Sequence, residues 1–242
     1  MYASVGLPTY GDANAPAHKH VAPEYLAQAQ IETGAPNIVT AVLASYRGYD
    51  TLGETAVIFT GGIGVLVLLI NRRRSKTPRP PTSAPEPSDA RPPGPVMHDT
   101  VILRVAVKMM LPFILLFAAY VQFHGDFGPG GGFQAGVVAA TGIIFYGLIF
   151  GLRAAQRVAP VGAVLVMIPL GVLLFAGTGV ASMLAGGNYL DYSAFAANPQ
   201  HGQHYGILIV ELGVFITVAS AMLAIFYAFA GRRQIREQGT NT

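Results

Sequence analysis

The run His124-Gly125-Asp126-Phe127-Gly128-Pro129-Gly130-Gly131-Gly132-Phe133-Gln134 sets an imidazole and a carboxylate in a glycine-dense turn between two long apolar stretches. Helix-breaking backbone and ionisable side chains are both costly near hydrocarbon, so their coincidence calls for burial in protein or contact with water. Two readings of His124 and Asp126 follow. They hydrogen-bond exposed backbone in a tight turn, or they face a hydrated ion entrance. Glu211 is the sharper candidate, because it stands about six residues, roughly 9 Å, inside the last apolar stretch with no basic residue nearby in sequence. A carboxylate there is protonated, paired (a partner on another subunit included) or open to a water-filled cavity. Glu54 falls at similar depth on the same side, yet Thr51 and Glu54 have the spacing of a capping box, which favours a structural role for Glu54.

These residues need a membrane to position them. Just over half of the residues are apolar (52%) and few are charged (11%), which puts the chain among membrane proteins. Residues 52–70, 101–123, 133–152, 161–184 and 205–230 each approach or exceed the roughly 20 residues that cross a bilayer. The expected fold is all-α, with five transmembrane helices. If they alternate, Arg72, Arg73, Arg74, Lys76, Arg79, Arg91, Arg104, Lys108, Arg153, Arg157, Arg232, Arg233 and Arg236 share one side and only Lys19 and Arg47 the other. Positive loops stay in the cytoplasm, so the N-terminus is expected outside and the C-terminus inside. The first residues lack the regions of a signal peptide, so the outer N-terminal segment is expected to follow the first span outward or to be carried by a partner.

The chain divides at a proline-rich stretch. Residues 1–70 hold an external polar segment, with a short helix expected over 37–46, and one span; 71–98 read as an extended cytoplasmic linker; 99–242 hold four spans with short connections. Arg104 and Lys108 lie one turn apart at the inner interface, where the flexible stem of Lys108 can snorkel to water or line a proton path. Pro112 and Pro169 each remove a helix hydrogen bond that neighbours must replace. Gly162, Gly171, Gly177 and Gly179 offer small surfaces for helix contact. His201 and His204 read as exposed loop residues, whose spacing would suit a metal only with further ligands.

Several functions are set aside by composition. The chain has no cysteine, so it carries no thiolate metal site or cysteine-ligated cluster, and no cofactor is expected. The glycine loop lacks the Lys-Ser or Lys-Thr of a P-loop. Its plausible work is a sharp return of the backbone, with N–H groups at the next helix start available to Asp126 and Gln134. The net charge of +3 comes from juxtamembrane clusters that insertion and anionic lipid explain, so nucleic acid is not an expected partner.

The run from His124 to Val138, with Gly125, Pro129-Gly130-Gly131-Gly132-Phe133-Gln134 and Gly136, resembles the signature loop of the MrpB (MnhB) subunit of multisubunit cation/proton antiporters. The segment Gly34-Ala35-Pro36-Asn37-Ile38-Val39-Thr40-Ala41-Val42-Leu43, followed by Tyr46-Arg47-Gly48-Tyr49-Asp50-Thr51-Leu52-Gly53-Glu54, resembles the C-terminal end of MrpA or the small subunit replacing it in membrane-bound hydrogenases. Ser45 stands where relatives often carry an acid and Asp126 where many carry another polar residue, so the resemblance assigns neither a role. It implies a non-catalytic subunit in the inner (plasma) membrane, with MrpA-, MrpC- and MrpD-like subunits, the lipid bilayer, sodium ions and protons as partners. Candidates for the ion path or a subunit junction are Glu211, Asp126, His124, Lys108, Glu54 and Gln134, with Gly128, Pro129, Gly130, Gly131 and Gly132 supplying loop backbone. The alternative is the ion-translocating module of a membrane-bound hydrogenase or related respiratory complex.

Overall fold

The computed structural model describes residues 5–74 and 101–238, so the expected linker lies largely outside the described residues. It is all-helical. Helix α1 (Ala22–Thr33) has proline in its first turn and ends where Gly34 turns left-handed. Helix α2 (Ile38–Thr40) begins where the Asn37 side chain accepts from the Val39 N–H, and it runs into the π-helical turns Ala41–Tyr46. There follow α3 (Gly48–Arg74), α4 (Val101–His124), α5 (Gly132–Phe150), the short α6 (Leu152–Val158), α7 (Val161–Leu184), a 3-10 turn at Tyr192–Phe195 and α8 (Pro199–Gln238).

Five of these helices contain stretches long and apolar enough to cross a membrane: Gly48–Leu68, Val101–His124, Gly132–Phe150, Val161–Leu184 and Pro199–Gly231. The chain is a multi-pass membrane protein. Helix α8 is its axis, packing against α3, α5, α7 and the 3-10 turn, while α4 leans on α5. Burial follows that order: 56% of the apolar window of α8 is covered, against 11% for α3 and for α4. The outward faces of α3 and α4 are therefore left to lipid or to other subunits.

Two apolar clusters hold the bundle. Toward the glycine loop, Phe175 interlocks with Ile207, Val210, Val214 and Val218, and the fully buried Tyr192 closes that end. At the other end Leu152, Val164, Ile168, Leu223 and Tyr227 pack together. There the Tyr227 hydroxyl donates to the carbonyls of Ala155 (3.2 Å) and Ala159 (3.0 Å), satisfying the end of α6.

Three local expectations are corrected. Thr51 and Glu54 do not form a capping box, because α3 already starts at Gly48; Thr51 Oγ1 instead donates back to the Leu43 carbonyl at 2.6 Å. His201 and His204 are not loop residues, since α8 starts at Pro199, with the Asn198 carboxamide accepting from Gln200 N–H at 3.0 Å. The N-terminal segment contains α1 as well as the expected helix near 37–46, and Ala29, Ala35 and Ala41 pack it into a small core of its own.

Candidate functional site

The glycine loop folds back on the helix that precedes it. The His124 carbonyl accepts from the N–H groups of Phe127 and Gly128, both at 3.0 Å, and the Val121 carbonyl accepts from Gly131 N–H at 3.1 Å. Gly131 has φ near +113°, a backbone region that side chains resist. At Gly132 a Cβ would overlap the Glu211 carbonyl, so bare backbone is what lets α5 start against α8. The start of α5 has no side-chain cap among the described residues. Neither Asp126 nor Gln134 serves as one.

Glu211 occupies the space that the glycines leave. A Cβ on Gly125 would come within 2.9 Å of Glu211 Oε2, and one on Gly131 within 3.0 Å of Oε1. The carboxylate thus lies between two glycines, beside the positive end of the α5 dipole. It also borders a cavity of about 300 Å³, whose wall includes Glu54 and Thr55 from α3, Thr40 from α2, Gln134 from α5 and Val214 from α8. Glu54 and Gln134 are exposed side chains on this wall, so the structure brings three of the candidate residues to one space.

Asp126 belongs to the same turn, does not line the cavity and is only 7% exposed. Its Oδ2 lies 2.7 Å from Nδ1 of His204, whose side chain keeps about half its exposure (48%). Burial raises the Asp126 carboxyl above its usual range, and the neighbouring imidazole partly offsets that rise. The N-terminal segment clamps the turn from outside. Asn37 Nδ2 donates to the carbonyls of Gly125 (2.9 Å) and Gly128 (2.7 Å), Thr40 Oγ1 donates to Gly125 (2.6 Å), and Asn37 N–H donates to Asp126 (3.0 Å).

Comparison with known proteins gives this architecture a family. A model described as a domain related to the MnhB subunit of Na+/H+ antiporter matches residues 102–224. The chain belongs to this MnhB-related family. A second family model, MbhE, which describes one subunit of MBH, matches residues 3–87. The chain is 30% identical over 232 residues to a Rhizobium meliloti protein named for the A/B subunit of a K(+)/H(+) antiporter, covering 89% of this chain and 22% of that one. It is 30% identical over 137 residues to the antiporter subunit mnhB2 of Staphylococcus haemolyticus, covering 55% of this chain and 96% of that one. The chain thus spans about a fifth of the length of the Rhizobium relative (22%). Its backbone is similar to a chain of the Mrp complex from Dietzia sp. DQ12-45-1b, with a TM-score of 0.66 and 27% identity, covering 87% of this chain and 22% of that one. A chain of the membrane-bound sulfane sulfur reductase, an archaeal respiratory membrane complex, gives 0.65 and 29%, covering 91% and 90%.

The MnhB-related stretch contributes the glycine loop and Glu211, while the MbhE-like stretch contributes Asn37, Thr40 and Glu54. The cavity is built from both. His124 turns away from it, stacked on Tyr120 at 4.8 Å and packed over Gly128. Lys108 is remote: its ammonium lies 5.5 Å from the Phe150 ring at the opposite end of α5, with the Arg104 guanidinium 5.8 Å from the same ring. Sequence reading put His204 in a loop and so missed its pairing with Asp126 in this MnhB-related chain. Had the helix been extended back to the Asn198-Pro199 cap signal, His204 and Glu211 would have fallen at a spacing that places them on one face of α8.

Proposed function

We propose that this chain is a membrane subunit of a multisubunit cation/proton antiporter, helping to assemble the complex and bordering its ion path. The observation that carries this is the Glu211 carboxylate, held against bare glycine backbone and open to a cavity shared by the two matched stretches. An acid so placed can exchange a proton for a cation as hydration and nearby charge change. Its glycine cradle leaves the oxygens without bulky neighbours on that side. Few acids border the space, so the main path runs through partner subunits and this chain forms one wall of it.

The glycine-loop end faces the outside of the plasma membrane in this reading. In support, Arg104, Lys108, Arg153 and Arg157 belong to the opposite end of the bundle, at the start of α4 and on α6, where the insertion rule puts the cytoplasm. The chain itself is non-catalytic. The named relatives differ in cation, sodium for the family model and potassium for the Rhizobium protein, so the cation is an alkali ion to be identified by assay.

In inverted vesicles carrying the complete complex, Glu211→Gln is expected to cut sodium- or potassium-driven proton flux at least about tenfold while assembly persists. Unchanged flux in an assembled complex would remove Glu211 from the path. The second reading, the ion-translocating module of a respiratory redox complex, is favoured by the near-complete mutual coverage with the sulfane sulfur reductase chain. Iron–sulfur subunits in the natively purified complex would establish it, and their absence would leave the antiporter.

A further inference from the structure

Asp126 and His204 take no part in the cavity wall, yet they abut the backbone that holds Glu211. Gly125, the residue before Asp126, is the one whose missing side chain leaves room for Glu211 Oε2. The pair therefore stands one peptide from the cradle, outside the cavity wall. Asp126 is buried, clamped through its own carbonyl by Asn37 N–H, and faces His204 Nδ1 at 2.7 Å. His204 bridges two environments, since Nδ1 meets the buried acid while about half of the side chain remains exposed.

We propose that His204 carries protons between bulk water and Asp126, and that the proton occupancy of this pair sets the charge presented to the Glu211 site. An imidazole can take a proton at one ring nitrogen and release another from the other. Here a proton from water adds to Nε2, giving an imidazolium hydrogen-bonded to the Asp126 carboxylate. The Nδ1 proton then moves to Asp126 Oδ2, leaving a neutral carboxylic acid and a neutral imidazole protonated at Nε2. Loss of that Nε2 proton and return of the Asp126 proton to Nδ1 restores the starting pair. No oxidant or co-reactant is needed.

The electrostatic consequence follows from sign alone. With His204 neutral and Asp126 ionised, a negative charge stands across Gly125 from Glu211 and favours a cation or a proton there. With the pair protonated, that charge is cancelled. Beside Asp126 stand His204 and, across Gly125, Glu211, both from α8; His124 of α4 packs onto Tyr120 and Gly128, and His201, one turn before His204, is exposed. Asn37 and Thr40, from the N-terminal segment, are neutral.

This inference rests on the cavity reading above, but its test can fail separately. In the assembled complex, His204→Asn places an amide donor where Nδ1 stands, facing Asp126, and cannot carry a proton. It is expected to keep assembly, to lose flux at limiting buffer as the alanine variant does, and to displace the pH profile of the flux that remains. His204→Ala should lose at least about fivefold in flux at limiting buffer and regain it with added imidazole. In detergent, infrared titration should show a protonated-carboxyl band that Asp126→Asn removes and His204→Asn displaces along the pH axis.

Superimposable pH profiles, no imidazole rescue, or an unmoved infrared titration would overturn the proposal. Loss of assembly in both His204 variants would also do so, by making the pair a latch between segments. Absence of flux in the unmodified complex would instead sink the antiporter reading and leave the infrared titration to judge the pair.

Discussion

Two acids meet the same glycine turn in different ways. Asp126 is buried and answered by an imidazole, whereas Glu211 is cradled by backbone and opens onto a cavity. For Asp126 the sign of the pH effect can be worked out. Burial raises its folded-state value above the ordinary 3.8, with His204 opposing. The folded protein then holds that proton more tightly than the unfolded chain does. The associated stability is fully present below the ordinary value and is lost as pH rises through the folded one. Thermal melts of the detergent-solubilised chain followed by circular dichroism should therefore lose midpoint as pH rises from 3.8 upward. Asp126→Asn should flatten that stretch, and equal slopes in the two proteins would show that the burial cost has been compensated elsewhere. Both acids were visible in the sequence as isolated carboxylates, but their neighbours were not. His204 lies far from Asp126 along the chain, and nothing local to either residue encodes the meeting.

At the scale of helices, close approach to α8 decides the geometry of the site. Gly171 of α7 faces the Gly213 carbonyl and the Thr217 backbone, and Gly213 in turn faces the Gly171 carbonyl, so the two helices meet backbone to backbone. The Thr217 hydroxyl adds a bond to the Ile168 carbonyl at 3.2 Å. Such contacts drive helix association where lipid removes the usual apolar incentive. Gly171→Val is expected to cost about 1–3 kcal/mol through overpacking, read as a lower melting midpoint in detergent, with Gly162→Val, which has open space, as the mild control. Similar losses in both would mean that the α7–α8 contact is not limiting. Gly132→Ala should act on function as well as on stability, because it pushes directly on the backbone of Glu211. Its flux should fall toward that of Glu211→Gln, and wild-type flux would show that the loop yields without moving the acid.

The helices themselves were legible because apolar length is a local property. Each expected span reappears, and the differences lie at the ends. Helix α5 stops at Phe150 where Gly151 takes a positive φ, and α8 extends back to Pro199 beyond the apolar window. Helix α1 escaped notice because its residues, Ala22–Thr33, show little apolar periodicity. Its order comes from docking: Ala29 and Ala35 pack with Ala41, and Gln200 Nε2 of α8 donates to the Ile31 carbonyl at 2.7 Å.

For the whole molecule, the central fact is that the N-terminal segment completes the site rather than merely adjoining it. The Asn37 carboxamide donates to the carbonyls of Gly125 and Gly128 and to Thr40 Oγ1 at 3.0 Å, and Thr40 donates in turn to Gly125. Ser45 Oγ adds a bond to Gln203 Oε1 at 2.9 Å, next to His204 on α8. Asn37→Ala leaves the Gly128 carbonyl without its side-chain donor, while Thr40 still serves Gly125, and should cost about 1–3 kcal/mol. It should also speed limited proteolysis within residues 5–46, and an unchanged cleavage rate would mean that the clamp is redundant. Sequence alone determined the membrane class, the five apolar helices and the identity of the polar residues able to matter, because hydropathy and residue type act within short windows of chain. Only the tertiary structure decided that Glu54, Gln134 and Glu211 share a cavity, that Asp126 is turned to His204 instead, and that Lys108 belongs to the other end. Those are contacts between segments far apart in the chain, set by how closely bare glycine backbone lets α5 and α8 approach.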